Sequence, residues 1–267
     1  MSLDQLRDST IVFDLDGTLV DTAPDLVGAT NHALADLGLP PCPAAELRPW
    51  ISFGARRMIV EALRHARHGG DDAEVDRLLA LFLDWYEANI ALASRPFPGA
   101  LEALDVLTAG GARLAICTNK REGLTLKLLG ELGLTSRFHA IVGRDTLPVS
   151  KPDPGHLTGT IARAGGSLTR AVMVGDSGVD IATARAARVP VIAVTFGYSE
   201  TPVRALGPDV AIDHYSDLVT HVSALLRPAD FLSLRASWGK AFRAPSVFQL
   251  KTVQTAQPSV QDGTGNF

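Results

Sequence analysis

Ile11-Val12-Phe13-Asp14-Leu15-Asp16-Gly17-Thr18-Leu19-Val20-Asp21 decides the fold. Its first three residues are apolar, without alternation, and run straight into a carboxylate. A short run of that kind reads as a strand buried on both faces, which means a parallel sheet with helices outside it. A carboxylate directly after such a strand lies at the carboxyl edge of the sheet, where open α/β folds place their ligands. A second one at i+2, across a sharp turn, lets one carboxylate attack while the other handles a proton. Gly17 permits the turn, and Thr18 offers a hydroxyl to a neighbouring carboxylate.

The same kind of run recurs at Arg113–Cys117, Ala140–Val142, Ala171–Val174, Val191–Val194 and Val210–Ile212. Between the later runs stand helix patterns. Leu101, Leu104 and Leu107 form one stripe, with Gly110 as its stop. Leu124, Leu128, Leu129 and Leu132 form another before Gly133. Strands alternating with helices predict a doubly wound α/β sheet. One connection breaks the rhythm. From Thr22 to Arg95 no strand appears, and the stretch reads as all helical. Thr22 is placed to N-cap a helix with Pro24 in its first turn. Phe53–His65 and Ala73–Ala93 are further helical patterns. The organisation predicted is an α/β core of residues 1–21 and 96–228, an inserted helical cap of residues 22–95, and a tail of residues 229–267.

Length and composition agree. The chain has 267 residues, 46% apolar and 20% charged, enough for one large or two unequal domains with a sizeable core. A formal net charge of −4 leaves no basic footprint for nucleic acid. No apolar run reaches the ~18 residues of a membrane helix. Met1 to Arg7 lacks the apolar core of a secretory signal. The two cysteines, Cys42 and Cys117, lack CxxC spacing, so a reducing cytoplasm is expected. Cys117 reads as a buried small hydrophobe, and Cys42, between prolines, as exposed.

Three further stretches carry chemistry. Thr118-Asn119 follows the Leu114–Cys117 strand, where hydroxyl, amide and backbone N–H groups can hold phosphate oxygens; Thr-Asn is also an ordinary helix start. Ser150-Lys151-Pro152-Asp153-Pro154 presents Lys151 from a loop stiffened by prolines, suited to a phosphate or a crowded carboxylate pair; a solvated lysine reads the same way. Gly175-Asp176-Ser177-Gly178-Val179-Asp180 delivers Asp176 to the edge, with Asp180 one helical turn later. Such an oxygen-rich site suits Mg²⁺, although Asp176 alone could be a helix N-cap.

Together, and in this order, the four stretches resemble the haloacid dehalogenase superfamily, whose motifs are DxDGT, a Ser or Thr after the second core strand, a Lys, and GDxxxD. The resemblance spans about Ser9 to Leu226. Within it, FDLDGTLVDTAPDL (13–26), NHALADLGLP (31–40), RPWISFGARRMIVEAL (48–63) and Phe196-Gly197-Tyr198 are similar to the phosphoglycolate phosphatase branch. The resemblance implies a Mg²⁺-dependent phosphomonoesterase, with 2-phosphoglycolate the first expected substrate and a sugar-phosphate phosphatase or mutase the alternative. It assigns Asp14 as nucleophile and Asp16 as general acid and base. Thr118, Asn119 and Lys151 are the implied phosphate ligands. Mg²⁺ would sit on Asp14, the Asp16 carbonyl and Asp176, with Asp180 behind. A cap closing over a small anion needs a cation. Arg56, after the Gly54 turn, is one candidate, and a solvated helix face is its alternative. The region 22–95 holds no lysine, which disfavours a Schiff-base branch.

The branch differs from this chain at Ser52-Phe53 in the loop before Gly54, and at Arg188, where a helix-ending glycine is usual. Arg188 should carry the strain of a left-handed residue. His65, His68 and His156 lack ligand-spaced partners, and Trp50, Trp85 and Tyr86 read as packing. A non-enzymatic phosphate-binding module remains a different class of reading, against which the full set of motif residues stands. The tail departs from the family. LRASWGKAFRAPSVFQL (234–250) resembles a strand-and-turn segment of TonB-dependent receptor barrels, and the tail is expected to be loosely packed or poorly ordered and dispensable for catalysis.

Overall fold

The computed structural model describes residues 3–226, and residues 1–228 form one compact unit. The expectations for the tail fall outside the described residues. The chain begins with strand β1 (Thr10–Phe13) and a two-residue strand β2 (Val20–Asp21). Four helices follow: α1 (Ala23–Ala35), α2 (Ala44–Leu47), α3 (Ala55–His65) and α4 (Asp72–Ala88). After β3 (Arg95–Pro96), strands and helices alternate: α5 (Ala100–Ala109), β4 (Arg113–Cys117), α6 (Glu122–Glu131), β5 (Ala140–Val142), α7 (Pro154–Arg163), β6 (Ala171–Gly175), α8 (Gly178–Ala187), β7 (Val191–Val194), β8 (Val210–Ile212) and α9 (Leu218–Leu225).

The main sheet has the order β5-β4-β1-β6-β7-β8, and every pairing in it is parallel. All six predicted runs are its strands. β1, β6 and β7 are buried along their whole length, as uninterrupted apolar runs require. The chain winds outward from β1 to β5, then crosses back to β6. The switch point of the topology therefore lies between β1 and β6, where ligands of open α/β sheets bind. Phe13 is in register with both Ile116 and Val174. The residues that follow these three strands thus emerge at one level of the same edge.

The stretch from 22 to 95 is mostly helical, as read, but two features were missed. β2 and β3 pair antiparallel as a separate ribbon, and Arg48–Phe53 forms a 3₁₀ segment. The ribbon joins the two passes of chain into and out of the helices. Asp25 clamps the same place: it is buried, and its carboxylate accepts the N–H groups of Ala93 and Ser94 and the Ser94 hydroxyl. Thr22 occupies the N-cap position of α1, yet its side chain makes no capping bond. Cys42 is buried, against expectation. Asn31 bonds its backbone N–H and C=O, which satisfies the polar groups of this proline-flanked residue inside the fold. Arg188 does end α8 in the left-handed conformation, at φ 57° and ψ 35°.

Candidate active site

Asp14 follows β1 and anchors there by its own backbone, whose N–H donates to Val174 at 2.9 Å. Its Oδ1 accepts the Leu15 N–H at 2.7 Å and meets the Lys151 ammonium at 3.0 Å. Oδ2 makes no hydrogen bond among the described residues. Lys151 also reaches Asp180 at 2.6 Å, and its side chain is 2% exposed. The loop lysine is therefore a buried cation held between two carboxylates, and the solvated alternative falls.

Asp176 is wholly buried at the end of β6. Thr18 donates its hydroxyl to one oxygen at 2.8 Å, the neighbour-carboxylate bond expected of it, and the Tyr198 N–H donates to the other at 2.7 Å. Backbone must come very close to make these bonds. A Cβ on Gly17 would lie 2.6 Å from an Asp176 oxygen, and one on Gly197 only 2.2 Å from the Asp176 Cβ; Gly17 also has φ +81°. Asp176 does not cap α8. Ser177 does, in a reciprocal capping box with Asp180.

Single carboxylate oxygens of Asp14, Asp176 and Asp180 lie within 4.8 Å of one another. Burial, opposed in part by Lys151, pushes the Asp14 carboxyl up to about 6. Burial, with the charges of Asp180 and Asp14, pushes Asp176 up to about 8. The surrounding carboxylates hold Lys151 above its ordinary value despite its burial. With all three acids ionised, the single Lys151 ammonium would leave the cluster two charges short of neutrality, which a divalent cation would balance; without a cation, burial and mutual repulsion keep Asp176 protonated at neutral pH. The donors are oxygens, as hard cations prefer.

A cavity of about 390 Å³ opens over this edge. Asp14, Asp16, Thr118, Asn119 and Lys151 line it from the sheet side, and Gly54, Arg56 and Tyr86 from the helical stretch. Asn119 donates its amide N–H to the Lys151 carbonyl at 3.0 Å, while its buried Oδ1 has no partner. Gly54 stands at the N-terminus of α3 with φ +89° and open space around it. Arg56 is on the rim, but Asp76 and Asp72 both bind its guanidinium, Asp72 at 2.7 Å.

Sequence reasoning missed two residues here. Lys120 bridges both Asp16 oxygens, at 3.1 and 3.3 Å, and donates to the Tyr86 hydroxyl at 2.7 Å. Tyr86 is buried and stacks on Phe82, as the packing reading held, yet its hydroxyl belongs to the site. The lysine adjoins the Thr-Asn pair, and that adjacency was the available signal. Arg121 and Arg144 also line the cavity, and neither has a carboxylate partner among the described residues. The remaining conspicuous residues are structural. His156 is buried between the Gly143 carbonyl at 3.0 Å and the Cys117 sulfur at 3.4 Å. His68 pairs with Glu74, and Trp85 stacks on His32.

Comparison with known proteins agrees with the geometry. The model of the haloacid dehalogenase-like hydrolase family matches residues 11–194. A phosphoglycolate phosphatase of Mesorhizobium japonicum is 50% identical over 216 residues, covering 81% of this chain and 95% of that protein. One of Agrobacterium fabrum is 48% identical over 207 residues, covering 78% and 89%. The crystal structure of a predicted phosphoglycolate phosphatase from Haemophilus somnus superposes with a TM-score of 0.75 at 31% identity, over 81% of this chain and 98% of that one.

Proposed function

The chain belongs to the haloacid dehalogenase-like hydrolases, and from that premise we propose that it is a Mg²⁺-dependent phosphomonoesterase whose substrate is a small phosphorylated carboxylic acid, 2-phosphoglycolate first. The observation that carries the reading is the close cluster of Asp14, Asp176 and Asp180, two of them held by the buried Lys151, beneath a cavity lined by further cations.

Phosphoryl transfer asks mainly for in-line positioning and neutralised charge. Asp14 has the nucleophilic carboxylate, with one oxygen left without a donor. Attack on phosphorus forms an aspartyl-phosphate and releases an alkoxide, which takes a proton from Asp16. Asp16 then removes a proton from the water that hydrolyses the aspartyl-phosphate, restoring Asp14 and releasing inorganic phosphate. Lys151 offsets the charge gathered on Asp14 and the phosphoryl group. Thr118 and the unpartnered amide oxygen of Asn119 lie where phosphoryl oxygens and their hydration must be organised. Asp14, Asp176 and the Asp16 carbonyl would hold Mg²⁺, which supplies charge neutralisation for the phosphoryl oxygens. Asp180, already engaged by Lys151 and Ser177, supports that set from behind.

Residues 22–95 act in this reading as a cap over the cavity. For the acid end of the substrate, Arg121 and Arg144 are better placed than Arg56, because Asp72 and Asp76 already occupy the Arg56 guanidinium. The partner is a small phosphorylated metabolite. Among the described residues no helix is long and apolar enough to cross a membrane, and we place the enzyme in the cytoplasm on its cysteine usage.

The test is a substrate panel by kcat/KM, with Mg²⁺, with Ca²⁺ and after exhaustive chelation. We expect 2-phosphoglycolate to lead the sugar phosphates, chelation to abolish turnover, and Ca²⁺ to inhibit through its looser, higher coordination. Full activity after chelation refutes the metal reading; preference for a sugar phosphate refutes the substrate.

A further inference from the structure

Lys120 is the cation whose role the reaction scheme above does not use. Its side chain is 6% exposed, and its ammonium stands 4.5 Å from the Tyr86 ring centroid. An ammonium has three donors and no acceptor. Asp16 takes bonds on both oxygens and Tyr86 takes one on its hydroxyl, so the buried charge is fully engaged. Asp16 belongs to the turn after β1, Lys120 to the loop after β4, and Tyr86 to α4 of the helical stretch. Three separate segments therefore meet on one nitrogen.

We propose that Lys120 is a positioning residue for the Asp16 carboxyl, and that Tyr86 makes this positioning depend on the seating of α4. The inference rests on the reading of Asp16 as the acid that protonates the leaving oxygen. The physical argument is directional. Lys120 can only donate, so a protonated Asp16 must present an acceptor oxygen to the lysine and turn its O–H away from it. The lysine thereby confines the proton to the side of the carboxyl that does not face it. A carboxyl released from that grip is free to rotate, and its proton loses a fixed address. Displacement of α4 removes the Tyr86 hydroxyl from the ammonium and weakens the same grip.

The test separates leaving groups. Alkoxides need the proton during the first transfer, whereas p-nitrophenolate departs without one. The quantity to compare is kcat/KM, which covers steps through the first phosphoryl transfer, in Mg²⁺-loaded enzyme. The substrates are 2-phosphoglycolate, ethyl phosphate and p-nitrophenyl phosphate, for wild type, Lys120→Met, Lys120→Arg and Tyr86→Phe. General acid–base catalysis contributes ~10²–10⁴-fold, so Lys120→Met should lose about 30-fold or more on both alkyl esters and under about threefold on p-nitrophenyl phosphate. Lys120→Arg should recover part of the loss, and Tyr86→Phe should show a smaller loss of the same selectivity. A kcat/KM for p-nitrophenyl phosphate within about threefold of wild type, together with an unchanged circular dichroism spectrum, reports that each variant is folded. Equal losses on all three substrates overturn the proposal, as does faster alkyl ester turnover in Lys120→Met. A loss confined to 2-phosphoglycolate overturns it too, because it would make Lys120 a ligand of the substrate carboxylate. An unchanged Tyr86→Phe overturns the link to α4. If wild type hydrolyses only p-nitrophenyl phosphate, the functional reading itself has failed, an outcome distinct from the others.

Discussion

Replacing Asp176 with Asn should stabilise the metal-free protein at alkaline pH while abolishing Mg²⁺-dependent turnover. Asp176 is fully buried, and its carboxyl is pushed from an ordinary 3.8 up to about 8, first by burial and then by Asp180 and Asp14. The sign follows from linkage. A folded pKa above the unfolded value means the fold prefers the neutral form, so the full stability is present below about pH 4 and is lost progressively as pH rises towards 8. Fully expressed, a shift of that size is worth on the order of 5 kcal/mol. Asn removes the charge but offers one acceptor where Asp176 accepts from both Thr18 and Tyr198. The lost acceptor costs about 1–3 kcal/mol. The balance predicts a chelated variant about 2–4 kcal/mol more stable than chelated wild type at pH 8, with the difference gone or reversed at pH 5. The measurement is urea unfolding of both proteins with chelator at the two pH values, followed by Mg²⁺ titration at pH 8. Mg²⁺ should stabilise wild type and leave the variant almost unmoved. A variant less stable at both pH values, or one stabilised by Mg²⁺ as much as wild type, refutes the reasoning.

Asp14→Asn should keep the fold, by circular dichroism, and lose turnover, since an amide is nearly isosteric and a poor nucleophile; retained rate with deamidation excluded would move the nucleophile elsewhere. Arg121→Ala and Arg144→Ala should raise KM for 2-phosphoglycolate about two- to tenfold and leave ethyl phosphate nearly unchanged, with Arg56→Ala the weaker of the three; steady-state kinetics on the two esters decides it. Arg188→Gly should raise stability by about 0.5–1 kcal/mol at unchanged kcat/KM, because it relieves a left-handed arginine at the end of α8. Thermal unfolding checks this, and a drop in Tm would show that the arginine side chain contributes more than its backbone costs.

How legible a residue was depended on where its partner lies in the chain. The six strands of the main sheet were readable because each carries an unbroken apolar run of three to five residues; burial on both faces accounts for the central β1, β6 and β7, whereas the edge strands β5 and β8 are fully buried only at their last residue. β2 and β3 were not, because each is two residues long and its partner is more than 70 residues away. Their pairing is decided by the closure of the helical stretch, which leaves no periodicity to read. Cys42 misled for a related reason. The prolines beside it signal a loop, and loops are normally exposed, but Asn31 supplies the backbone bonds that allow this one inside.

The site divides along the same line. Asp14, Asp16, Thr118, Lys151 and Asp176 each follow a strand or sit in a motif, so their chemistry could be argued from adjacency. Lys120 and Tyr86 could not, because lysine beside Thr-Asn and tyrosine on a helix stripe each have an ordinary meaning alone. Their joint meaning needs Asp16 brought to both. The contrast between the two lysines sharpens the point. Lys151 neutralises only part of a three-carboxylate cluster, whose Asp176 and Asp14 are both pushed towards the protonated form and would be ionised by a bound cation. Lys120 meets a single carboxylate and a phenol, so its charge is matched and its donors are spent. The first arrangement is suited to recruiting charge, and the second to holding a carboxyl still. In the function proposed here the site both binds a metal and directs a proton, and the two lysines divide those tasks, Lys151 meeting Asp14 and Lys120 meeting Asp16.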